Sequence, residues 1–278
     1  MVTSIEERVA QHYAQRDVDR SILDALRALG KDIDRLTPSD LASVDEFHVG
    51  GREATIEFAA QLKITPDMHI LDIGCGLGGA ARYVAETRGC RVTGIDLTAD
   101  YVRAAEVLTR RVGLSHRVSF RHGSALSLPF GPATFDGAYM MYVGMNVADK
   151  PRLFAEARRV LKTGGVFAIY DVMLTGVGEP TFPLPCAAGA ETSFIAGPGE
   201  YLRGLEAAGF EVCGARDRLE FAREFCRREV ARLADNGGPP ARAIHILLKN
   251  DAPRMLRNVT SLFERAVLSP TELICRAR

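Results

Sequence analysis

The stretch His69-Ile70-Leu71-Asp72-Ile73-Gly74-Cys75-Gly76-Leu77-Gly78-Gly79 gathers the residues best able to handle a ligand: an apolar run ends in a carboxylate and then turns on glycines. Glycine lets the backbone approach a ligand closely, and the first turn of the helix that follows presents unpaired N–H groups and the positive end of a dipole. Such a turn binds a polar or anionic group. Gly74, Gly76 and Gly79, with Asp96 twenty residues beyond Gly76, also satisfy the dinucleotide fingerprint, so spacing alone leaves the ligand open. Asp72 separates the options. A carboxylate two residues ahead of the first glycine repels a diphosphate and attracts a cation. S-adenosylmethionine (SAM) brings an α-ammonium and a sulfonium to that point, whereas NAD brings a pyrophosphate, and an NAD-dependent oxidoreductase stays as the alternative.

Asp96 closes a second apolar run, Val92-Thr93-Gly94-Ile95-Asp96-Leu97, where a carboxylate can accept hydrogen bonds from both hydroxyls of a ribose and Leu97 can pack on the base. The other reading is that Asp96 only caps the next helix, a role that Thr98 could fill. Methyl transfer from a sulfonium is an in-line displacement that needs alignment, exclusion of water and, for some acceptors, removal of a proton. His48, beside Gly50-Gly51, could take that proton or serve as a partly buried structural histidine. Tyr142 and Asn146 follow a further apolar run, and an Asn cannot act as a base. Met140, Met141, Met145 and Phe182 suit either an adaptable apolar pocket or ordinary core filling.

These residues need elements to hold them. From Met68 onward, strand and helix patterns alternate: strands at 69–73, 91–96, 118–122, 135–141 and 166–172, with helices at 79–88, 99–112 and 149–161 between them. Leu153, Phe154, Ala157, Val160 and Leu161 give the last of these helices one buried face. That alternation predicts a parallel, doubly wound sheet. Residues 4–45 read as helices, with Thr37-Pro38-Ser39-Asp40 as a cap, and a helix follows over about 52–63. Beyond the Pro-rich stretch at Pro180, Pro183 and Pro185 come a helix near 198–208 and a strand at 210–215. A helical segment over 218–265, broken at Gly237-Gly238-Pro239-Pro240, and a closing strand at 271–276 complete the chain.

Composition narrows the function classes. Of 278 residues, 35 are basic and 35 acidic, and no Lys/Arg block forms a track for a phosphate backbone, which argues against a nucleic-acid partner. No apolar run approaches the ~18 residues of a membrane span. Glu6, Glu7 and Arg8 stand where a signal peptide has its apolar stretch, so a cytoplasmic protein without membrane partners is expected. The six cysteines show no CxxC pair and no histidine at zinc-ligand spacing, so reduced thiols and no metal are expected.

Further landmarks follow in order: Gly123-Ser124-Ala125-Leu126 after the third strand, Phe135-Asp136-Gly137-Ala138-Tyr139-Met140-Met141 as the fourth, and Arg159-Val160-Leu161-Lys162-Thr163-Gly164-Gly165 before the fifth. With them the chain resembles the class I SAM-dependent methyltransferases over residues 48–175. Phe47-His48-Val49-Gly50-Gly51, Ala54-Thr55, Ala80-Ala81-Arg82 and Asn146-Val147-x-Asp149-Lys150 make it similar to the small-molecule branch. That branch includes glycine, sarcosine and dimethylglycine N-methyltransferases, quinone-biosynthesis C-methyltransferases and natural-product methyltransferases. The resemblance implies that Asp72, Gly74, Gly76 and Gly78 surround the methionyl part, Asp96 and Leu97 hold ribose and adenine, Ser124 and Ala125 meet the adenine edge, and Met140 and Met141 line the pocket. Many relatives carry Asp at the position of Ser124, His at that of Asn146 and Trp at that of Cys186. The chain has no Trp at all, which excludes an acceptor pocket built on that indole. Tyr13 resembles lid tyrosines of N-methyltransferases.

The expected fold is therefore α/β, a Rossmann-like, mostly parallel seven-stranded sheet with an antiparallel last strand. The expected divisions are a helical lid over 1–50, a SAM-binding core over 51–217, a helical insertion over 218–265 and a closing strand over 266–278. The expected function is methylation of a small-molecule acceptor, N-methylation ahead of C- or O-methylation, with S-adenosylhomocysteine (SAH) as by-product and His48, Tyr142, Asn146 and Tyr13 as the catalytic candidates. A homodimer is compatible with this reading, and a non-catalytic SAM-binding protein is the second alternative.

Overall fold

The computed structural model describes residues 4–14, 17–235 and 251–278. Seven strands, β1 (His69–Ile73), β2 (Arg91–Asp96), β3 (Val118–His122), β4 (Phe135–Met141), β5 (Leu161–Leu174), β6 (Phe210–Asp217) and β7 (Leu268–Ala277), form one sheet in the order β3-β2-β1-β4-β5-β7-β6. β1 to β5 pair in parallel with one another, and β7 runs antiparallel to both β5 and β6. Strand order reverses between β1 and β4, the place where an open α/β sheet leaves a crevice at the carboxyl ends of its strands. Register sets what meets there. Asp72 lies opposite Gly94 on one side and Tyr139 on the other, and Ile73 opposite Ile95, so the glycine turn and Asp96 emerge side by side.

Period-2 alternation gives the sheet two apolar faces. Leu71, Ile73, Met140 and Phe167 face one side, where they pack with Leu153 and Phe154 of α7 (Lys150–Val160) and Tyr201 and Leu205 of α8 (Pro198–Ala207). Ile70, Val92, Tyr139 and Tyr170 face the other, against Phe58 of α4 (Gly51–Ala60), Val84 of α5 (Gly79–Arg88) and Val102 of α6 (Ala99–Arg111).

The chain's first helices are α1 (Ile5–Tyr13), α2 (Val18–Ala28) and the short α3 (Pro38–Leu41). α1 opens with a capping box in which Ser4 and Glu7 satisfy each other's backbone donors. Ile22, Leu26, Leu41 and Val44 bury themselves against Leu77, Tyr101 and Leu108, so this segment docks on α6. At the other end, α9 (Leu219–Asp235) and α10 (Ala252–Glu264) stand between β6 and β7 and share an apolar cluster with Leu184, Val172 and Leu268. The expected break at Gly237–Pro240 lies outside the described residues. None of the described helices is long and apolar enough to cross a membrane.

Three strands run longer than their patterns predict, β6 by two residues, to Asp217. β7 begins at Leu268 rather than Thr271, because Pro270 reads as a strand breaker. It is tolerated there because the β6–β7 register ends at Asp217 and Thr271, and the Pro270 carbonyl only accepts, from Arg218 N–H at 2.8 Å. β5 extends from Leu161 to Leu174, carried at its amino end by Phe135 and along the rest by β7.

Candidate active site

One cavity of about 1810 Å³ runs from the glycine turn to the helices that follow β6. At one end it is lined by Asp72, Gly74, Gly76, Asp96, Leu97 and Ala125; at the other by Val172, Leu184, Cys186, Ile195, Phe225 and Leu256. Its lining is mainly apolar.

The glycine turn fits a ligand held by backbone. Gly76 has φ +51°, and a Cβ there would meet nothing within 4 Å, so its missing side chain leaves open space on the cavity. Gly76 N–H donates to Asp96 Oδ2 at 2.8 Å and Thr98 N–H to Oδ1 at 2.8 Å. Both of the readings made for Asp96 thus have a counterpart: it fastens the turn to the start of α6, where the Thr98 side chain makes no cap bond, and it also lines the cavity. Its carboxylate keeps lone pairs for ribose hydroxyls. Burial pushes its carboxyl above the usual range. Asp72 is 2% exposed and accepts from the Tyr139 hydroxyl at 3.1 Å; burial pushes its carboxyl up to about 8. A buried, largely neutral acid facing a cavity is a group waiting for a cation.

Other expected donor-site residues divide. Leu97, Ala125 and Met141 line the cavity. Met140 does not: alternation along β4 turns it into the core beside Leu153 and Phe154, and it is fully buried there. Gly78, the left-handed residue before α5, packs on Phe120 and Arg82 rather than on the cavity. Ser124 is turned aside, donating through Oγ to Glu6 and accepting from Leu126 N–H at 2.9 Å.

Of the four catalytic candidates, Asn146, Tyr13 and His48 face hydrogen-bond partners, whereas the buried Tyr142 hydroxyl has none. Asn146, in the turn after β4, donates through Nδ2 to Cys186 O at 2.7 Å and Thr192 O at 3.3 Å, and accepts from the Tyr13 hydroxyl at 2.9 Å. Tyr13 thereby joins α1 to the segment around Cys186. Burial first, then nearby acidic groups, push its phenol well above the usual range, so it does not serve as a base near neutral pH. Tyr142 has φ +59°, a strained backbone for a bulky side chain, and lies stacked on His48 with ring centroids 5.6 Å apart; burial raises its phenol too. His48 Nε2 lies 3.1 Å from Glu46 Oε2 and 3.2 Å from Thr55 Oγ1, and Nδ1 lies 3.3 Å from Val49 O. Its ring nitrogens thus face polar partners within the protein. The Cys186 thiol, pushed up to about 12 by burial, stays protonated.

Sequence reasoning passed over several polar residues: Glu46, Asp45 and Arg52 line the same cavity, and Arg82 lies buried behind it. Glu46 accepts from Arg52 and Thr55, and these together with His48 hold its carboxyl below the usual range although burial opposes that. Arg82, fully buried, donates to Asp45 Oδ2 at 2.7 Å and to Leu77 O at 2.6 Å, which ties the segment before α4 to the glycine turn. Arg52 Nη2 is buried without a hydrogen-bond partner. Nothing in the one-dimensional pattern marks these residues, because they come from separate elements, although Arg82 and Arg52 do fall inside the motifs quoted above.

An Asp-tipped β1, a glycine turn, a carboxylate ending β2 and the strand order 3-2-1-4-5-7-6 define the class I methyltransferase fold. Residues 71–169 match the family model described as a methyltransferase domain. Among curated proteins, the glycine/sarcosine/dimethylglycine N-methyltransferase of Actinopolyspora halophila is 31% identical over 170 residues, 61% of this chain and 30% of that protein. Among solved structures, geranyl diphosphate C-methyltransferase from Streptomyces coelicolor, in complex with SAH, superposes with a TM-score of 0.74 at 18% identity over 100% of this chain and 99% of that one. The [4+2]-cyclase SpnF gives a TM-score of 0.65 at 27% identity over 81% of this chain and 80% of that one. The chain spans 51%, 31% and 32% of the length of three further curated relatives it matches, so their similarity concerns the shared domain.

Proposed function

We propose that the protein is a SAM-dependent methyltransferase acting on a small-molecule acceptor, with residues 1–50 as a lid and 218–265 as a cap. The observation that carries this is the single cavity joining the glycine turn and Asp96 to an apolar chamber edged by α9 and α10. A pocket for one ligand is typically about 300–1,000 Å³. At about 1810 Å³ this one has room for a donor and an acceptor.

Bound SAM supplies a methyl group made electrophilic by the sulfonium. The chain's residues do the rest. Asp72 offers a carboxylate to the donor's positive charge, Asp96 accepts from ribose hydroxyls, Leu97 packs on the base, and Arg52, whose Nη2 makes no hydrogen bond and lies 3.9 Å from Asp45 Oδ1, can turn that nitrogen to the amino-acid carboxylate. The apolar chamber excludes water, which aids displacement at a charged centre.

The acceptor atom in this reading is an uncharged amine nitrogen on an apolar scaffold larger than an amino acid. A hydroxyl or a carbon acceptor needs a base; the phenols of Tyr13 and Tyr142 and the amide of Asn146 offer none, and both ring nitrogens of His48 are turned to Glu46, Thr55 and Val49 O. An amine needs only to be neutral, and burial among apolar groups lowers amine pKa values. SAM and NAD(H) titrated calorimetrically, followed by SAH release with a panel of apolar amines, alcohols and glycine, test this. SAH release is expected with the amines; NAD(H) binding without SAM binding ends the proposal.

A second reading has an observation of its own. SpnF is a [4+2]-cyclase on this same fold, so the fold does not compel methyl transfer. If SAM binds but no acceptor in the panel releases SAH, a chamber that uses the nucleoside only as a structural ligand is the better description.

A further inference from the structure

The lid helix α1 lays one face along the cavity. Ile5, Glu6, Val9 and Tyr13 all line it, at the i, i+1, i+4 and i+8 spacing of a single helical face. Tyr13, at the far end, reaches Asn146 and the acceptor side. Glu6, seven residues earlier and about 10 Å back along the axis, reaches the opposite end, where the Ser124 hydroxyl donates to its carboxylate Oε1. The capping box of α1 uses Glu7, which leaves Glu6 free for this contact.

That end is where a purine held by Asp96 and Leu97 must lie. The exocyclic amine of adenine is a donor, and it needs an acceptor there. Three neutral acceptors at this edge already carry one bond each. Ser124 Oγ accepts from Leu126 N–H at 2.9 Å, Leu126 O accepts from Arg152 Nε at 2.9 Å, and Leu97 O lies 3.1 Å from His122 Nε2. Asp149, the other carboxylate nearby, accepts from Arg152 N–H at 3.0 Å as the cap of α7. Glu6 carries a carboxylate with capacity for several bonds, lines the cavity, and is already oriented by Ser124.

We propose that Glu6 is the hydrogen-bond acceptor for the exocyclic amine of the donor's adenine, so that α1 itself reads the base. The proposal rests on the SAM reading above and adds to it a specificity-determining residue outside the sheet.

The test compares SAH with its 6-deamino analogue, in which hydrogen replaces the exocyclic amine, by calorimetry on the full chain. Wild type is expected to prefer SAH by about tenfold or more, the scale of one hydrogen bond to a charged group. Glu6→Ala should bring the two ligands to similar affinity, and Ser124→Asp added to Glu6→Ala should restore the preference by putting a carboxylate at the same edge. Preference retained in Glu6→Ala, or an equal weakening of both ligands, overturns the proposal while leaving the donor reading intact. Failure of wild type to bind SAH at all is a different result, which removes the donor reading and this proposal with it.

Discussion

In the proposed reading Asp72 and Asp96 divide the handling of a charged nucleoside between them, and each makes a measurable claim. Asp72 ionises near 3.8 when exposed and near 8 in the folded protein, because burial penalises its charged form. A raised carboxyl stabilises the fold fully below its unfolded value, and that contribution is lost as pH climbs through about 8. A cationic donor reverses the preference and favours the carboxylate. SAM affinity should therefore rise between pH 6 and pH 8, with release of about one proton near pH 7. Calorimetry in buffers of differing ionisation heat measures this, and Asp72→Asn should remove the proton release while leaving the unliganded protein at least as stable at pH 8. Asp96→Ala should weaken SAM by ~1.5–3 kcal/mol, the scale of charge-assisted hydrogen bonds; an unchanged affinity would confine Asp96 to fastening Gly76 and Thr98.

At the scale of elements, α1 owes its place to hydrogen bonds more than to burial. Only Val9 of its residues is buried, whereas Tyr13 bonds to Asn146 and His12 Nε2 lies 3.0 Å from Pro185 O. Asn146→Ala removes the nearer of two acceptors for the Tyr13 hydroxyl, the other being Cys186 O at 3.4 Å, and leaves the carbonyls of Cys186 and Thr192 with one donor fewer. A loss of ~1–3 kcal/mol in urea unfolding is expected, together with faster amide exchange in residues 5–13. Exchange that stays slow in that helix would mean that the apolar contact of Val9 holds α1 unaided. The Arg228–Glu53 ion pair, 2.7 Å across from α9 to α4, is half exposed on both sides and is expected to add little.

Across the whole molecule, the sheet builds the donor end of the cavity, and the helices attached before β1 and after β6 build the acceptor end. The two ends should therefore be separable by mutation. Leu256, on α10, is part exposed and lines the chamber. Leu256→Trp should leave SAH affinity within about twofold, since it touches no donor-side group, while cutting turnover of the acceptors found by the screen at least about tenfold, equivalent to ~1.4 kcal/mol of lost binding or alignment. A variant that loses both together would show that the chamber and the donor pocket are one mechanical unit.

The donor half was legible in the sequence because it is local: an Asp-tipped strand, a glycine turn and a second Asp-tipped strand occur within residues 69–97, and strand period with helix period fixes how they stack. Alternation also decides that Met141 rather than Met140 faces the cavity, although choosing between them needs the register of β4 against β1 and β5. The acceptor half was not legible, because its residues come from positions far apart along the chain. Tyr13 meets Asn146 across 133 residues, Asn146 meets Cys186 and Thr192 across 40 and 46, and α9 and α10 share an apolar cluster with Leu184. Local spacing thus determined the fold class and the nucleoside-binding turn. Long-range packing alone decided which side chains surround the acceptor, since no periodicity encodes a contact made by separate elements meeting at the end of a sheet.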